Sequence, residues 1–211
     1  MAVLPRGNNT AVPRRGRGSA MIEAALVISV AVPVLLGVSG IGVRLGRTLE
    51  GTQVTRDVAH MYALGTDFSL SGTQAIAQTL SRDFTLTASG TGVLILSRVV
   101  KVFQTDCNAA GVPTCPNLNQ TVFAQRIVIG NTSLRSSSFG TPPGTYIDAE
   151  GNISASNYCK LSTLVASGFD AVLSLQQGQS AYLTEGYFSM PEVNLAYFGS
   201  PGGGFYVRLV F

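Results

Sequence analysis

The chain has 211 residues, enough for one domain with an appendage or for two very small domains. Hydrophobic residues make up 45% of it and charged residues only 12%, about half the usual charged share. This composition is too apolar for a disordered chain and unusually poor in charge for a cytosolic enzyme. With one histidine and no G-x-S-x-G or phosphate-binding glycine motif, we expect no catalytic residue, no metal site and no cofactor.

The positive charge is concentrated at the N-terminus. Residues 1–18 contain no acidic residue and four arginines, Arg6, Arg14, Arg15 and Arg17. The whole chain carries +3, so subtracting this +4 leaves residues 19–211 at −1. A nearly neutral body argues against nucleic-acid binding, because such proteins present a basic face or a groove-reading motif. The arginines instead predict a leader that stays in the cytoplasm.

A long apolar stretch follows the leader. Residues 20–43 contain one ionisable side chain, Glu23, and lie between Arg17 and Arg44. As a helix they are long enough to cross about 30 Å of hydrocarbon. The length favours a transmembrane helix. The alternatives are a cleaved secretory signal, with a small-x-small site at residues 29–31, and a buried helix of a soluble protein.

The start of the apolar stretch carries a motif. It reads RRGRGSAMIEAALV from Arg14, so a basic leader ends at Gly18 and a glutamate, Glu23, is the fifth residue after that glycine. This start resembles the precursors of the type IV pilin superfamily, and within it the TadE-type pseudopilins of the tight-adherence (Flp) pilus system. Those chains commonly have Phe directly after the glutamate, where this chain has Ala24.

The resemblance implies a route of processing and assembly. A prepilin peptidase would cut between Gly18 and Ser19, and Glu23 would pair with the new α-amine on Ser19 of a neighbouring subunit. Such an ion pair fixes the register of helices more than it adds stability. The other implied partners are further pilin subunits, membrane lipid, the assembly platform and, through that platform, a secretion ATPase. The alternative reading of Glu23 is a carboxylate at the membrane interface that reaches water.

The helix is expected to continue past the membrane. Pro33 removes one backbone hydrogen bond, so we expect a kink of the helix near residues 30–32. Beyond it, an apolar series at helical spacing predicts one helix from about Ser19 to Leu64: Leu45, Leu49, Val54, Val58, Met61 and Leu64. His60, on the polar side, is expected to face solvent or pack on the body rather than hold a metal.

The remaining residues predict a small sheet with helices. Strands are predicted at residues 93–103, 123–129, 182–190 and 205–211, and helices at 72–83 and 161–175. In the first of these helices, Ile76, Leu80 and Phe84 are expected to share one face. The fold class is therefore α+β, with a long N-terminal transmembrane and amphipathic helix packed on a small antiparallel β-sheet domain. The predicted segments are a leader at 1–18, a helical spine at 19–65 and a periplasmic or extracellular domain at 66–211.

Three cysteines lie in the body. Cys107 and Cys115 flank a short loop that contains glycine and proline, and they are the expected disulfide, since a body in an oxidising compartment can form one. Cys159 is then left over, either buried and inert or linked between chains.

These observations predict a structural protein, not an enzyme. We expect a minor pilin or pseudopilin that first spans the inner (cytoplasmic) membrane once, with its C-terminal domain outside, and then joins a pilus at the cell surface. The alternative from another class is a membrane-anchored or secreted binding domain with an ordinary signal-anchor and no filament role. Gly18 and Glu23 favour the pilin interpretation, because the alternative gives them no purpose.

Overall fold

The structure, a computed structural model, describes residues 17–190 and 203–211, with side chains from residue 20 onward. Its helices are α1 (Arg17–Ala63), α2 (Ser71–Leu80), α3 (Gln104–Ala109) and α4 (Ala155–Lys160), and its strands are β1 (Gly92–Lys101), β2 (Thr121–Gly130), β3 (Ser180–Met190) and β4 (Gly203–Val210). This architecture confirms the predicted α+β fold and all four predicted strands.

The chain divides into two compact units, Met1–Gly42 and Val43–Phe211. The second half of α1 therefore belongs to the same unit as the sheet. The first unit is described from residue 17 and consists there of the first half of α1. The division into leader, spine and body at residues 18 and 65 stays a prediction.

The four strands form one antiparallel sheet in the order β2-β1-β3-β4. Strand β1 is central, with Val93 opposite Gly130 of β2 and Tyr187 of β3. The register of β2 shifts between Gln125 and Phe123, which leaves Ala124 without a partner residue in β1. This bulge reverses the facing of β2, because one extra residue moves the following side chains to the other face.

One face of the sheet is covered by helices and the turns next to them. Leu94 and Leu96 of β1 pack there with Val54 and Val58 of α1 in a core that the following residues complete: Tyr62, Phe68, Ala77, Phe84, Leu86, Ile127, Ile129 and Phe188. Burial of this apolar surface is the main stabilising contribution to the body.

The opposite face of the sheet is covered by the segment between β2 and β3, which is mostly irregular. Phe139, Leu164 and Phe169 of this segment pack against Phe123 of β2 and Leu183 of β3. Both faces of β1 are therefore covered, and its sequence GVLILSRVVK is a nearly continuous apolar run rather than an alternating one.

The predicted helix at 161–175 is wrong. The structure has α4 before it and two 3₁₀ turns within it, Ser162–Leu164 and Phe169–Ala171. The amide of Ala166 donates to the carbonyl oxygen of Thr121 at 2.8 Å, so it is not available to a helix. Gly168 follows with φ at 75°, a left-handed conformation that interrupts a right-handed helix.

Two other helices differ from expectation. Helix α2 ends at Leu80, three residues before the predicted end, because Ser81 is extended and its hydroxyl donates to the carbonyl oxygen of Phe84 at 2.8 Å. Its buried residue is Ala77, whereas Ile76 and Leu80 are exposed. Helix α3 was not predicted. Its first turn is closed by the Asp106 carboxylate, which accepts the amide hydrogen of Phe103 at 2.8 Å.

Candidate functional site: the apolar helix and its supporting body

The first half of α1 has an apolar surface that faces outward. Within the described residues, one helix, Ala20–Ala63, is long and apolar enough to cross a membrane. None of its most apolar 18-residue window is buried, and Met21 and Ile41 are 78% and 71% exposed. A core helix of a soluble protein would bury such residues, so the exposure argues against that alternative. Length and composition fit a membrane span and fit a signal sequence equally.

The residues of the predicted cleavage site lie at the start of α1. The leader residues Arg14 and Arg15 fall outside the described part of the chain. Within the described residues α1 begins at Arg17, so Gly18 and Ser19 are among the first of its residues that the structure describes. Glu23 is exposed and comes four residues after Ser19, on the same face of the helix one turn further along.

Pro33 lies inside α1, and the helix is continuous on both sides of it. Proline has no amide hydrogen, so the carbonyl oxygen of Ser29 lacks its helical donor. Just before this position, the Ser29 hydroxyl donates to the carbonyl oxygen of Leu26 at 2.8 Å. The kink expected near residues 30–32 stays a prediction.

The second half of α1 packs on the sheet through small residues. Of the predicted apolar series, Val54 and Val58 are buried, whereas Leu45, Leu49 and Leu64 are exposed. The buried side also contains three small residues at four-residue spacing, Gly51, Thr55 and Ala59. The helix face predicted from large apolar residues was therefore only partly right.

The contact between α1 and the sheet is close. A Cβ atom on Gly51 would collide with the ring of Phe205 and lie 2.9 Å from the ring of Phe188. On the sheet side, a Cβ atom on Gly186 of β3 would collide with the hydroxyl of Thr55. These glycines are required by close approach of the backbones, and both lie within the unit that begins at residue 43.

Polar contacts hold the second half of α1 in place. The Glu50 carboxylate accepts the amide hydrogens of Arg82 at 2.6 Å and Asp83 at 2.8 Å, just past the end of α2. One turn earlier, Arg47 Nε lies 3.7 Å from the Asp83 carboxylate. At the other end, the Tyr62 hydroxyl donates to Oε1 of Gln125 on β2 at 2.9 Å.

A buried carboxylate lies on the other side of the sheet. Glu185 of β3 is 1% exposed and accepts three hydrogen bonds, from the Tyr206 hydroxyl at 2.5 Å, the Ser138 amide at 2.8 Å and the Ser137 hydroxyl. It thereby links the loop after β2 to the strands β3 and β4. A sequence signal exists, because Glu185 is an acid inside the apolar and aromatic strand AYLTEGYF.

The groups near Glu185 have perturbed ionisation. Burial, followed by the hydrogen bond to Glu185, raises the pKa of Tyr206 to about 12. Burial lowers the pKa of Arg126 to about 10, although the charge of Glu185 acts in the opposite direction. Arg126 donates to the carbonyl oxygen of Gly140 at 2.6 Å and lies over the Phe123 ring at 4.5 Å, so its role here is to hold the loop.

The three cysteines lie together. Cys107 and Cys115 form a disulfide with 6.0 Å between their Cα atoms, and Cys159 is a buried thiol. The three sulfur atoms all lie within 4.8 Å of one another. Two of them are joined to each other, so the cluster presents one thiol rather than the set of thiolates that a metal ion requires.

Two further polar features lie near the end of α1, the side chain of His60 and a small cleft. His60 is exposed, and its ring lies 6.4 Å from that of Phe211. A cleft of about 160 Å³ beside the end of α1 is lined by polar side chains that include Tyr62, Arg98 and Asn152. It has room for a few water molecules or a small polar group.

Comparison with protein-family models, curated proteins and solved structures gives no match to this chain. The resemblance to the pilin superfamily therefore depends on sequence features, chiefly the leader, Gly18, Glu23 and the apolar helix.

Proposed function

We propose that this chain is a pilin-like structural subunit, a minor pilin or pseudopilin of a tight-adherence type pilus. The observation that carries the proposal is the contrast within α1. Its first half exposes an apolar surface that needs lipid or other helices around it, while its second half packs on a sheet within the body. A subunit that is stored in a membrane and then packed into a helical filament core requires both properties.

The position of Gly18 and Ser19 supports processing by a prepilin peptidase. The bond between them lies among the first residues of α1 that the structure describes, on the N-terminal side of the apolar stretch. It follows Arg17 directly, and basic residues at the end of an apolar span favour the cytoplasmic side, where a prepilin peptidase would act. Cleavage there removes the four arginines and creates an α-amine on Ser19, charged near neutral pH.

The assembly step follows from the same segment. Ser19 and Glu23 are one helical turn apart, so an axial stagger of one turn brings the carboxylate of one subunit level with the amine of its neighbour. The pair would set register inside an apolar bundle. The body remains outside the membrane and faces outward on the filament, and the partners are the peptidase, other pilin subunits, the assembly platform and its ATPase.

The mature N-terminus tests this proposal. We expect mass spectrometry of the membrane-extracted protein, expressed with its prepilin peptidase, to find a chain that begins at Ser19. The variant Gly18→Leu should keep its leader, because the resemblance implies that the peptidase requires this glycine. The control Gly16→Ala changes a glycine two residues earlier and should be processed normally.

Two outcomes would overturn the proposal. Retention of residues 1–18 by the wild-type chain beside an active peptidase would make α1 an ordinary signal-anchor. A start after Ala31 would make the body a secreted protein, the alternative with no filament role.

A further inference from the structure

The disulfide and the third cysteine form one cluster built from three segments. Cys107 lies in α3, Cys115 in the loop before β2, and Cys159 in α4. Cys107 and Cys159 are fully buried, and Cys115 is partly exposed. With all three sulfur atoms within 4.8 Å, a free thiol lies next to a disulfide inside a folded core.

The loop that carries Cys115 is fixed to α4 independently of the disulfide. The side-chain amide of Asn117, which is 2% exposed, donates to the carbonyl oxygens of Tyr158 at 2.7 Å and Leu161 at 2.8 Å. Sγ of Cys115 lies 3.8 Å from the carbonyl oxygen of Cys159. Asn117 therefore holds Cys115 beside Cys159 whether or not Cys115 is bonded to Cys107.

We propose that Cys159 is a second bonding partner of Cys115, and that the folded protein exchanges the Cys107–Cys115 disulfide for a Cys115–Cys159 disulfide. The thiolate of Cys159 attacks Sγ of Cys115, the new S–S bond forms as the old one breaks, and Cys107 leaves as a thiolate. The proton lost by Cys159 is regained by Cys107. One disulfide and one thiol are present before and after, so the step consumes no oxidant and no reductant.

The exchange changes which segments are covalently joined. The Cys107–Cys115 bond closes a loop with a sequence separation of eight residues. The Cys115–Cys159 bond ties the loop before β2 to α4, which follows β2, and so encloses that strand. A bond that closes a longer loop restricts the unfolded chain more strongly. Cys159 therefore forms a disulfide within its own chain, in place of the inert or interchain roles expected from the sequence.

The surroundings of Cys159 make the exchange slow near neutral pH. Burial, with the nearby Asp106 carboxylate, raises the pKa of the Cys159 thiol. Besides Asp106 on α3, the titratable groups beside it on α4 are its sequence neighbours Tyr158 and Lys160. Since the thiolate is the attacking species, the rate of exchange should rise with pH.

Peptide mapping of the full wild-type chain tests the proposal without any substitution. Trypsin releases Cys107 and Cys115 together on the peptide 102–126, and Cys159 on the peptide 136–160. The disulfide in the structure therefore leaves the two peptides separate, and the exchanged disulfide links them. The detergent-extracted protein is held folded at mildly alkaline pH, then unfolded in acid with N-ethylmaleimide to block free thiols before digestion.

We expect a linked pair of peptides whose amount grows with time at alkaline pH and is smaller after the same time at neutral pH. Circular dichroism of the same samples establishes that the protein stays folded. A wild-type protein in which peptide 136–160 always carries a blocked Cys159, with no linked pair, overturns the proposal.

Two matched variants identify the sulfur that is attacked. In glutathione redox buffer, Cys107→Ser should form a link between Cys115 and Cys159 at least about tenfold more completely than Cys115→Ser forms one between Cys107 and Cys159. The reverse order, or equal linkage in both variants, overturns the assignment of Cys115 as the shared sulfur.

Discussion

Glu185 is an acidic group inside a layer of the body that is built mainly from apolar side chains. A carboxylate buried without partners would cost several kcal/mol, and its three hydrogen bonds remove most of that cost. The donors come from β4 and from the loop at residues 137–138, so the network positions two segments that are distant in sequence. Tyr206 also contacts the Ser138 hydroxyl at 2.8 Å, which closes the network.

The ionisation of Tyr206 reports on this network. Its pKa is raised from 10.0 to about 12, so the folded protein holds the phenol proton more tightly than the unfolded chain. The resulting stabilisation is complete below pH 10 and is lost as pH rises through about 12. Arg126 has the opposite effect on the pH dependence of stability. Because its pKa is lowered in the folded protein, the unfolded chain holds more protons in alkaline solution, and this contribution to the free energy of unfolding rises with pH.

We therefore expect Tyr206 to ionise late. The chain has no tryptophan, so tyrosinate absorbance after a rapid pH jump follows the seven tyrosines before the protein unfolds. The difference between wild type and Tyr206→Phe should have its midpoint near pH 12. A midpoint at pH 10.0, the ordinary value, would mean that the phenol is not buried against Glu185.

At the scale of elements, the packing of α1 on the sheet depends on residues that lack bulk. Gly51 and Gly186 allow the helix backbone and β3 to approach, and the rings of Phe188 and Phe205 fill the space beside them. These rings are stacked with centroids 5.2 Å apart. Tight interiors of this kind respond strongly to one added methyl group.

Substitution of Gly51 tests this contact. Gly51→Ala should lower the free energy of unfolding of the body by about 1–3 kcal/mol, because the methyl group collides with both rings. The control is Gly46→Ala. Gly46 comes before Gly51 on the same helix, and a Cβ added there meets nothing within 4 Å. It should be neutral or stabilise by up to about 1 kcal/mol through helix propensity. Urea unfolding followed by circular dichroism measures both, and equal effects would contradict the close packing.

Long periodic patterns made α1 and the four strands predictable, because each pattern is repeated over many residues. The bounds of α1, Arg17–Ala63, differ from the predicted Ser19–Leu64 by one or two residues. The buried face of α1 was less predictable, since a search for large apolar residues selects Leu45 and Leu49 and passes over Gly51. Close approach is a property of two surfaces, and the sequence of one helix contains only one of them.

The errors came from partners far away in sequence. The helix expected at 161–175 does not form, because the amide of Ala166 donates to the carbonyl oxygen of Thr121 instead. No local sequence pattern signals this contact. Of the candidate site residues, Gly18 and Glu23 could be proposed from the sequence because their motif is contiguous, and their roles stay predictions. The donors to Glu185 and the position of Cys159 beside Cys115 required the fold.

At the scale of the whole molecule, charge and apolar surface are separated along the chain. The arginines of residues 1–18 precede an apolar stretch with one acid, and the remaining charges lie in the body and the helix half that packs on it. Removing the leader changes the net charge from +3 to −1, before the new amine is counted. Processing would therefore remove the attraction of the N-terminus for anionic lipid on the cytoplasmic side.

Glu23→Ala tests the assembly role. The substitution removes a charge from an apolar segment, so membrane insertion should be kept or improved. Filament yield should fall by at least about tenfold, because one partner of the proposed ion pair is then missing. Asp57→Ala is the matched control, an exposed carboxylate on the second half of the same helix. Sheared-filament yield against membrane content is the measurement, and normal filaments from Glu23→Ala would remove the argument for an ion pair.

The strand order β2-β1-β3-β4 has a consequence for folding during synthesis on the ribosome. Val93 of the central strand β1 pairs with Tyr187 of β3, so the complete sheet cannot form until β3 and β4 have been synthesised. Helix α1 emerges from the ribosome much earlier, while the residues that will cover Val54 and Val58 do not yet exist. The order of synthesis thus lets the apolar helix contact lipid or other helices while the chain is still being synthesised, before the complete sheet has formed.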